Sequence, residues 1–98
     1  HLSMGEKKRV ALATVLCMGV KILALDEPTS SLDPRGKKEL TELLRGFTQT
    51  QVIATHDLKL ARELCNRIVL LKNGEKIADD TVENILRQKN LLLLTGLE

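Results

Sequence analysis

Four apolar residues, Ile22-Leu23-Ala24-Leu25, run straight into two acids, Asp26 and Glu27, and then into Pro28-Thr29-Ser30-Ser31-Leu32-Asp33-Pro34. A short continuous apolar run bounded by turn residues reads as a strand buried on both faces, the kind found in parallel sheets. In open α/β sheets ligands bind beyond the carboxyl ends of the strands, so the two acids stand where chemistry takes place. An Asp at that point can hold Mg²⁺ in a phosphoryl-transfer site, and a Glu after it can orient or deprotonate water. Taken alone, such a string more often marks a strand ending in a solvated acidic turn. The flanking residues overturn that reading.

The rest of the chain alternates helix and strand. Ser3 and Glu6 have capping-box spacing, which predicts a helix from Met4 to about Met18. Its second half, from Val10, is apolar nearly all round, so it is expected to be buried in a core. After Gly19 comes the strand Ile22 to Leu25. Asp33-Pro34 then supplies an N-cap and a first-turn proline for a helix reaching about Phe47, with Leu40, Leu43, Leu44 and Phe47 as its apolar stripe. Val52 to Ala54 is a second strand, and Asp57 caps a helix carrying Leu58, Ala61 and Cys65. Ile68 to Leu71 is a third strand. Asn73-Gly74 predicts a type I′ turn into a short antiparallel strand, Lys76 to Ala78. Asp80 is read as the cap of a last helix with Val82, Ile85 and Leu86. Three apolar strands separated by helices predict a parallel sheet covered on both faces.

Composition excludes several classes. The chain has 98 residues and a net charge of +2 with acids and bases interspersed, which argues against a polyanionic partner. Phe47 is the only aromatic residue, so there is no stacking platform for single-stranded nucleic acid. Cys17 and Cys65 have no pairing or metal spacing, and both are read as buried reduced thiols. No apolar run approaches the ~20 residues of a membrane span, and no signal peptide is present, so a soluble cytoplasmic protein is expected. A phosphate-cradling loop, G-x-x-x-x-G-K-[ST], is absent: the only Gly-Lys pair, Gly36-Lys37, is followed by Lys38 and lacks the upstream Gly. The chain begins at His1 without an initiator Met, and a phosphate-gripping strand and loop are expected to lie upstream.

Three motifs stand in order: Leu2-Ser3-Met4-Gly5-Glu6-Lys7-Lys8-Arg9, then Leu25-Asp26-Glu27 through Asp33-Pro34, then Thr55-His56-Asp57. In that order and spacing they resemble the signature motif, the Walker B and D-loop, and the switch histidine of ABC transporter ATP-binding subunits. The resemblance runs from Leu2 to about Gly74. The Lys-Lys-Arg and Asp-Pro-Arg-Gly contexts, with the tail Leu91 to Glu98, look most like the cobalt and energy-coupling-factor importers. The fold it implies is the C-terminal part of a P-loop (RecA-like) ATPase, an α/β domain with parallel strands and flanking helices. Residues 1–98 would form part of one ATP-binding domain without its Walker A, residues 79–98 being a C-terminal helix and tail.

The resemblance also implies roles. Two such domains face each other head to tail, each lending its signature motif to the ATP held by the other. Ser3 and Gly5 would meet the partner's γ-phosphate, since a helix N-terminus presents unpaired N–H groups and partial positive charge. Ser3 also serves as a plain helix cap, and both roles can hold together. Met4 and Glu6 depart from the common Leu-Ser-Gly-Gly-Gln, and Glu6, although in the nucleotide-binding motif, sets a carboxylate near a phosphate unless it turns back to cap its own helix. Asp26 would hold Mg²⁺ through water, and Glu27 would act as general base. His56 would sense the γ-phosphate. Asp33 would reach the partner's phosphate loop, or serve as an N-cap. Lys7, Lys8 and Arg9 read as a solvated first turn that adds positive potential. His1 is assigned nothing.

The function implied is ATP-driven solute import, of cobalt, nickel or a vitamin, through a transmembrane permease subunit. The protein would then sit peripherally on the inner face of the cell membrane. One alternative is a soluble, non-transport ABC ATPase. Another is a catalytically incomplete fragment or interaction module, because without a phosphate loop the 98 residues alone are predicted inactive. Alone they are also expected to expose apolar surface and self-associate.

Overall fold

The Ser3 hydroxyl accepts a hydrogen bond from the Glu6 amide at 3.1 Å, and the Glu6 carboxylate accepts one from the Ser3 amide at 3.2 Å. This reciprocal pair starts helix α1, Met4–Cys17. The computed structural model describes residues 3–94 and 96; Leu2 of the signature motif and Thr95, Leu97 and Glu98 of the tail lie outside the described residues. Strand β1, Ile22–Asp26, follows, then α2, Pro34–Arg45, β2, Thr50–Ala54, and α3, Leu58–Leu64. The chain ends in β3, Arg67–Lys72, β4, Glu75–Thr81, α4, Val82–Arg87, and α5, Lys89–Leu94. No helix among the described residues is long and apolar enough to cross a membrane.

The chain divides into two units, His1–Thr55 and His56–Glu98. In the first, β1 and β2 pair in parallel, Ile22 opposite Thr50 through Asp26 opposite Ala54. Asp33 caps α2 by accepting from the Gly36 amide at 2.7 Å, and Pro34 stands in the first turn. The helix stops at the Gly46 cap, two residues short of the expected Phe47. Arg9 of α1 pairs with Glu39 of α2 at 2.8 Å, and Gln51 of β2 donates to the Leu44 carbonyl at 2.7 Å. Among the described residues of this unit, Leu12, Leu23, Leu40 and Leu44 are buried, as is Pro28.

Burial is one-sided. Leu23 is buried and Leu25 half-buried, but Ile22 is 64% exposed and Val52, on the same face, 61%. The second half of α1, expected to be buried in a core, buries only Leu12, while Val10 and the C-cap residue Met18 are exposed. The apolar pattern is that of elements with neighbours on both sides, and within the described residues each has a neighbour on one.

The second unit is a hairpin with helices packed on it. Asn73 and Gly74 both take positive φ, 51° and 78°, as a two-residue type I′ loop requires. β3 pairs antiparallel with β4, with a bulge between Leu70 and Leu71. The third apolar run is paired with β4 as the turn at Asn73-Gly74 requires, and among the described residues β1 pairs with β2 alone, so the parallel pairing described is that of two strands. Leu70, Ile85 and Leu92 form the core, joined by Leu58, Ile68, Ile77, Ala78 and Leu86.

Two smaller expectations are corrected. The cap of α4 is Thr81, whose hydroxyl accepts from the Asn84 amide at 3.2 Å; Asp80 is still in β4 and supports the cap by accepting from the Thr81 amide and the Asn84 side chain. Cys17 is exposed, and Cys65 is a half-buried thiol just past α3, not on its face. Burial raises the Cys65 pKa above its usual value.

Candidate functional site

Because β1 and β2 run parallel, their carboxyl ends lie side by side. Asp26 closes β1, exposed, opposite Ala54. The Glu27 amide extends the pairing by donating to the Ala54 carbonyl at 2.7 Å. Directly after β2, the Thr55 hydroxyl donates to the Glu27 carboxylate at 3.1 Å. The acid pair therefore sits where strand-end chemistry requires, with Glu27 half-buried and held from the neighbouring strand. Among the described residues, no three His, Cys, Asp or Glu side chains gather as a metal-binding cluster.

Glu27 has φ +44°, and Ser31, four residues on, has φ +65°. Left-handed backbone at non-glycine residues costs about 1–3 kcal/mol each and persists where the surroundings hold it. Here the turn is held by Ser30 N donating to Glu27 O and Leu32 N to Thr29 O, with the Thr29 side chain buried. Lys8 adds a third support. Its ammonium reaches the carbonyls of Pro28 at 2.6 Å, Ser30 at 3.0 Å and Glu27 at 3.5 Å. Lys8 and Arg9 are thus tied down, where a solvated turn was expected; Lys7 alone of the three is exposed.

The signature candidates stand at the start of α1. Glu6 does turn back: its carboxylate is committed to the Ser3 amide, a bond that lowers its pKa below the usual carboxylate value. The Ser3 oxygen accepts from Glu6 and keeps its own O–H to donate. As the first two helical residues, Met4 and Gly5 have amides without an acceptor inside the helix. A Cβ at Gly5 would meet only Leu32 Cδ2 at 3.8 Å and Ser3 Oγ at 4.0 Å, so the fold itself leaves room there. Leu32 thus lies beside Gly5. Asp33 spends one carboxylate oxygen on the α2 cap, where a Cβ at Gly36 would come within 3.0 Å of it.

The first unit therefore brings Ser3, Gly5 and Glu6 together on one helix end, and joins that helix through Lys8 to the Glu27 turn. His56 is the first residue of the second unit, exposed, immediately before the Asp57 cap of α3. Sequence reasoning missed Lys8 and Thr55 as site residues. Thr55 stands next to His56 in the motif and gave a usable signal; a lysine reaching carbonyls twenty residues away gave none.

A family model described as "AAA domain, putative AbiEii toxin, Type IV TA system" matches residues 1–62, the stretch holding all three motifs. The chain is 48% identical over 98 residues to "Putative ABC transporter ATP-binding protein gll0289" of Gloeobacter violaceus, covering 100% of this chain and 40% of that protein. It is 43% identical over 96 residues to "Energy-coupling factor transporter ATP-binding protein EcfA1" of Methanospirillum hungatei, covering 94% of this chain and 35% of that one. Among solved structures, cbiO1 of Clostridium perfringens, part of the ABC transporter complex cbiONQ, matches with TM-score 0.79 and 38% identity over 99% of this chain and 40% of its own. The ATP-binding cassette MJ0796, solved as a dimer in a post-hydrolysis state with ADP and Pi, matches with TM-score 0.71 and 34% identity over 83% of this chain and 36% of its own. The chain spans about two fifths of the length of the curated relatives it matches. By matched model, identity and fold, it belongs to that AAA-domain family and is part of an ABC transporter ATP-binding protein.

Proposed function

We propose that the protein carrying this chain hydrolyses ATP to drive solute import through a membrane permease, and that these residues supply its hydrolytic acids and its signature motif. The observation that carries this reading is the Glu27 carboxylate just beyond the end of a parallel strand, held by Thr55 just beyond the end of its neighbour. The named relatives support the importer class: one is an energy-coupling factor transporter subunit and another belongs to a cbiONQ complex. Cobalt, nickel or a vitamin is the proposed cargo, and the inner face of the cell membrane the proposed location.

The residues present suit ATP and Mg²⁺. An acid pair ends the strand, and a glycine leaves the N-terminus of α1 open to close approach. Mg²⁺, when bound, neutralises charge on the phosphates. Asp26 is its proposed holder, through water. Glu27 takes the proton from the attacking water. The Ser3 hydroxyl and Gly5 amide donate to the γ-phosphate bound by a second copy, in the head-to-tail pair, while Glu6, turned back onto Ser3, keeps its charge on the helix cap. Asp33 reaches toward the partner's phosphate loop, and His56 hydrogen-bonds the γ-phosphate.

Glu27→Gln in the full protein tests this. ATP turnover is expected to fall by about 100-fold or more, while ATP binding and ATP-dependent pairing persist. Undiminished hydrolysis removes Glu27 from the mechanism.

A further inference from the structure

Three backbone carbonyls converge on the Lys8 ammonium, those of Glu27, Pro28 and Ser30. An ammonium has three N–H donors, so the group is matched to what it meets. None of these carbonyls belongs to a described helix, and all three lie beyond the end of β1. The turn they form has left-handed residues at both ends, Glu27 and Ser31. Such backbone holds its shape only while its surroundings over-determine it. The Glu27 side chain leaves from this backbone, so a relaxed φ swings the carboxylate away from Thr55.

We propose that Lys8 is a positioning residue for hydrolysis: from α1 it clamps the Glu27–Ser31 backbone and so fixes where the Glu27 carboxylate points. The proposal rests on the reading of Glu27 as the base. It also means that Lys8 ties the helix carrying Ser3 and Gly5 to the turn carrying Glu27.

The test uses the full protein with Lys8→Met, which keeps the apolar stem and removes the donors, and Lys8→Arg, which restores donors. In Lys8→Met, kcat for ATP is expected to fall about 10–100-fold with KM little changed, as for a misplaced catalytic group. The amides of Ser30 and Leu32, which close this turn, should exchange hydrogen about tenfold faster. Lys8→Arg should recover much of both. Full kcat in Lys8→Met, unchanged exchange at Ser30 and Leu32, or equal losses in Lys8→Arg would each overturn the clamp. Glu27→Gln run in parallel separates the two failures. Turnover surviving in Glu27→Gln removes the base, and with it the catalytic role of Lys8. An inactive Glu27→Gln beside a fully active Lys8→Met removes the clamp alone.

Discussion

Glu6 shows how one residue satisfies two demands. Its carboxylate accepts from the Ser3 amide, and that bond, followed by the Ser3 side chain, lowers its pKa. Glu39 is lowered by Arg9 and then Arg35, and Asp80 by Asn84 and then Thr81. For a carboxylate whose folded pKa is depressed, the stabilisation is complete above the unfolded pKa and is lost as pH falls through the folded value. Helical circular dichroism of the chain should therefore hold from pH 7 down to about 5 and decline below the usual carboxylate range of about 4. Glu6→Gln, which keeps a capping side chain without a titrating proton, should decline less steeply. An identical acid limb in that variant would show that the α1 cap contributes nothing to it. At this scale the sequence was informative where chemistry is local. Ser3 with Glu6, Asp33 with Pro34, and Asp57 each announced a helix start within three residues. Lys8 was not legible, because its partners are near in space and remote in the chain.

Elements were legible in type and less so in partnership. The apolar run at Ile68 identified a strand, and Asn73-Gly74 a tight turn, yet an apolar run does not say which strand lies beside it. The hairpin that Asn73-Gly74 predicts joins β3 to β4 as expected, while the parallel pairing described is that of β1 with β2. Asp80 and Thr81 are both capping types, and the bulge-shifted length of β4 decides between them. Helix α2 gives the sharpest element-level prediction. Leu44 is fully buried, whereas Leu43 beside it is half-buried. Leu44→Ala should cost about 2–5 kcal/mol by transfer and cavity terms, read as a lower urea midpoint, with Leu43→Ala costing clearly less. Equal costs at the two positions would mean that α2 does not bury the stripe described.

For the whole molecule, the incomplete covering of the first unit is the governing fact. Ile22 and Val52 lie exposed on one face of a two-stranded parallel sheet, with Val10 exposed on α1 and Met18 exposed at its C-cap. Burial of such side chains is worth about 1.5–3 kcal/mol each, so the 98 residues in isolation should associate with one another. Light scattering above monomer mass, with binding of a hydrophobic dye, is the expected result; a clean monomer that binds no dye would refute it. The prediction rests on strands and a helix whose apolar pattern calls for more neighbours than the described residues supply. The Asn73-Gly74 hairpin carries one more consequence, for the order in which the molecule forms. A hairpin closed by two residues forms in about 1–10 μs, whereas pairing β1 with β2 must first bring together strands separated by all of α2. Synthesis runs in the opposite sequence, because the slow pair emerges before the fast hairpin. At about 5–20 residues per second, making the second unit gives β1 and β2 a lead of a few seconds, so the slower search is given the longer time.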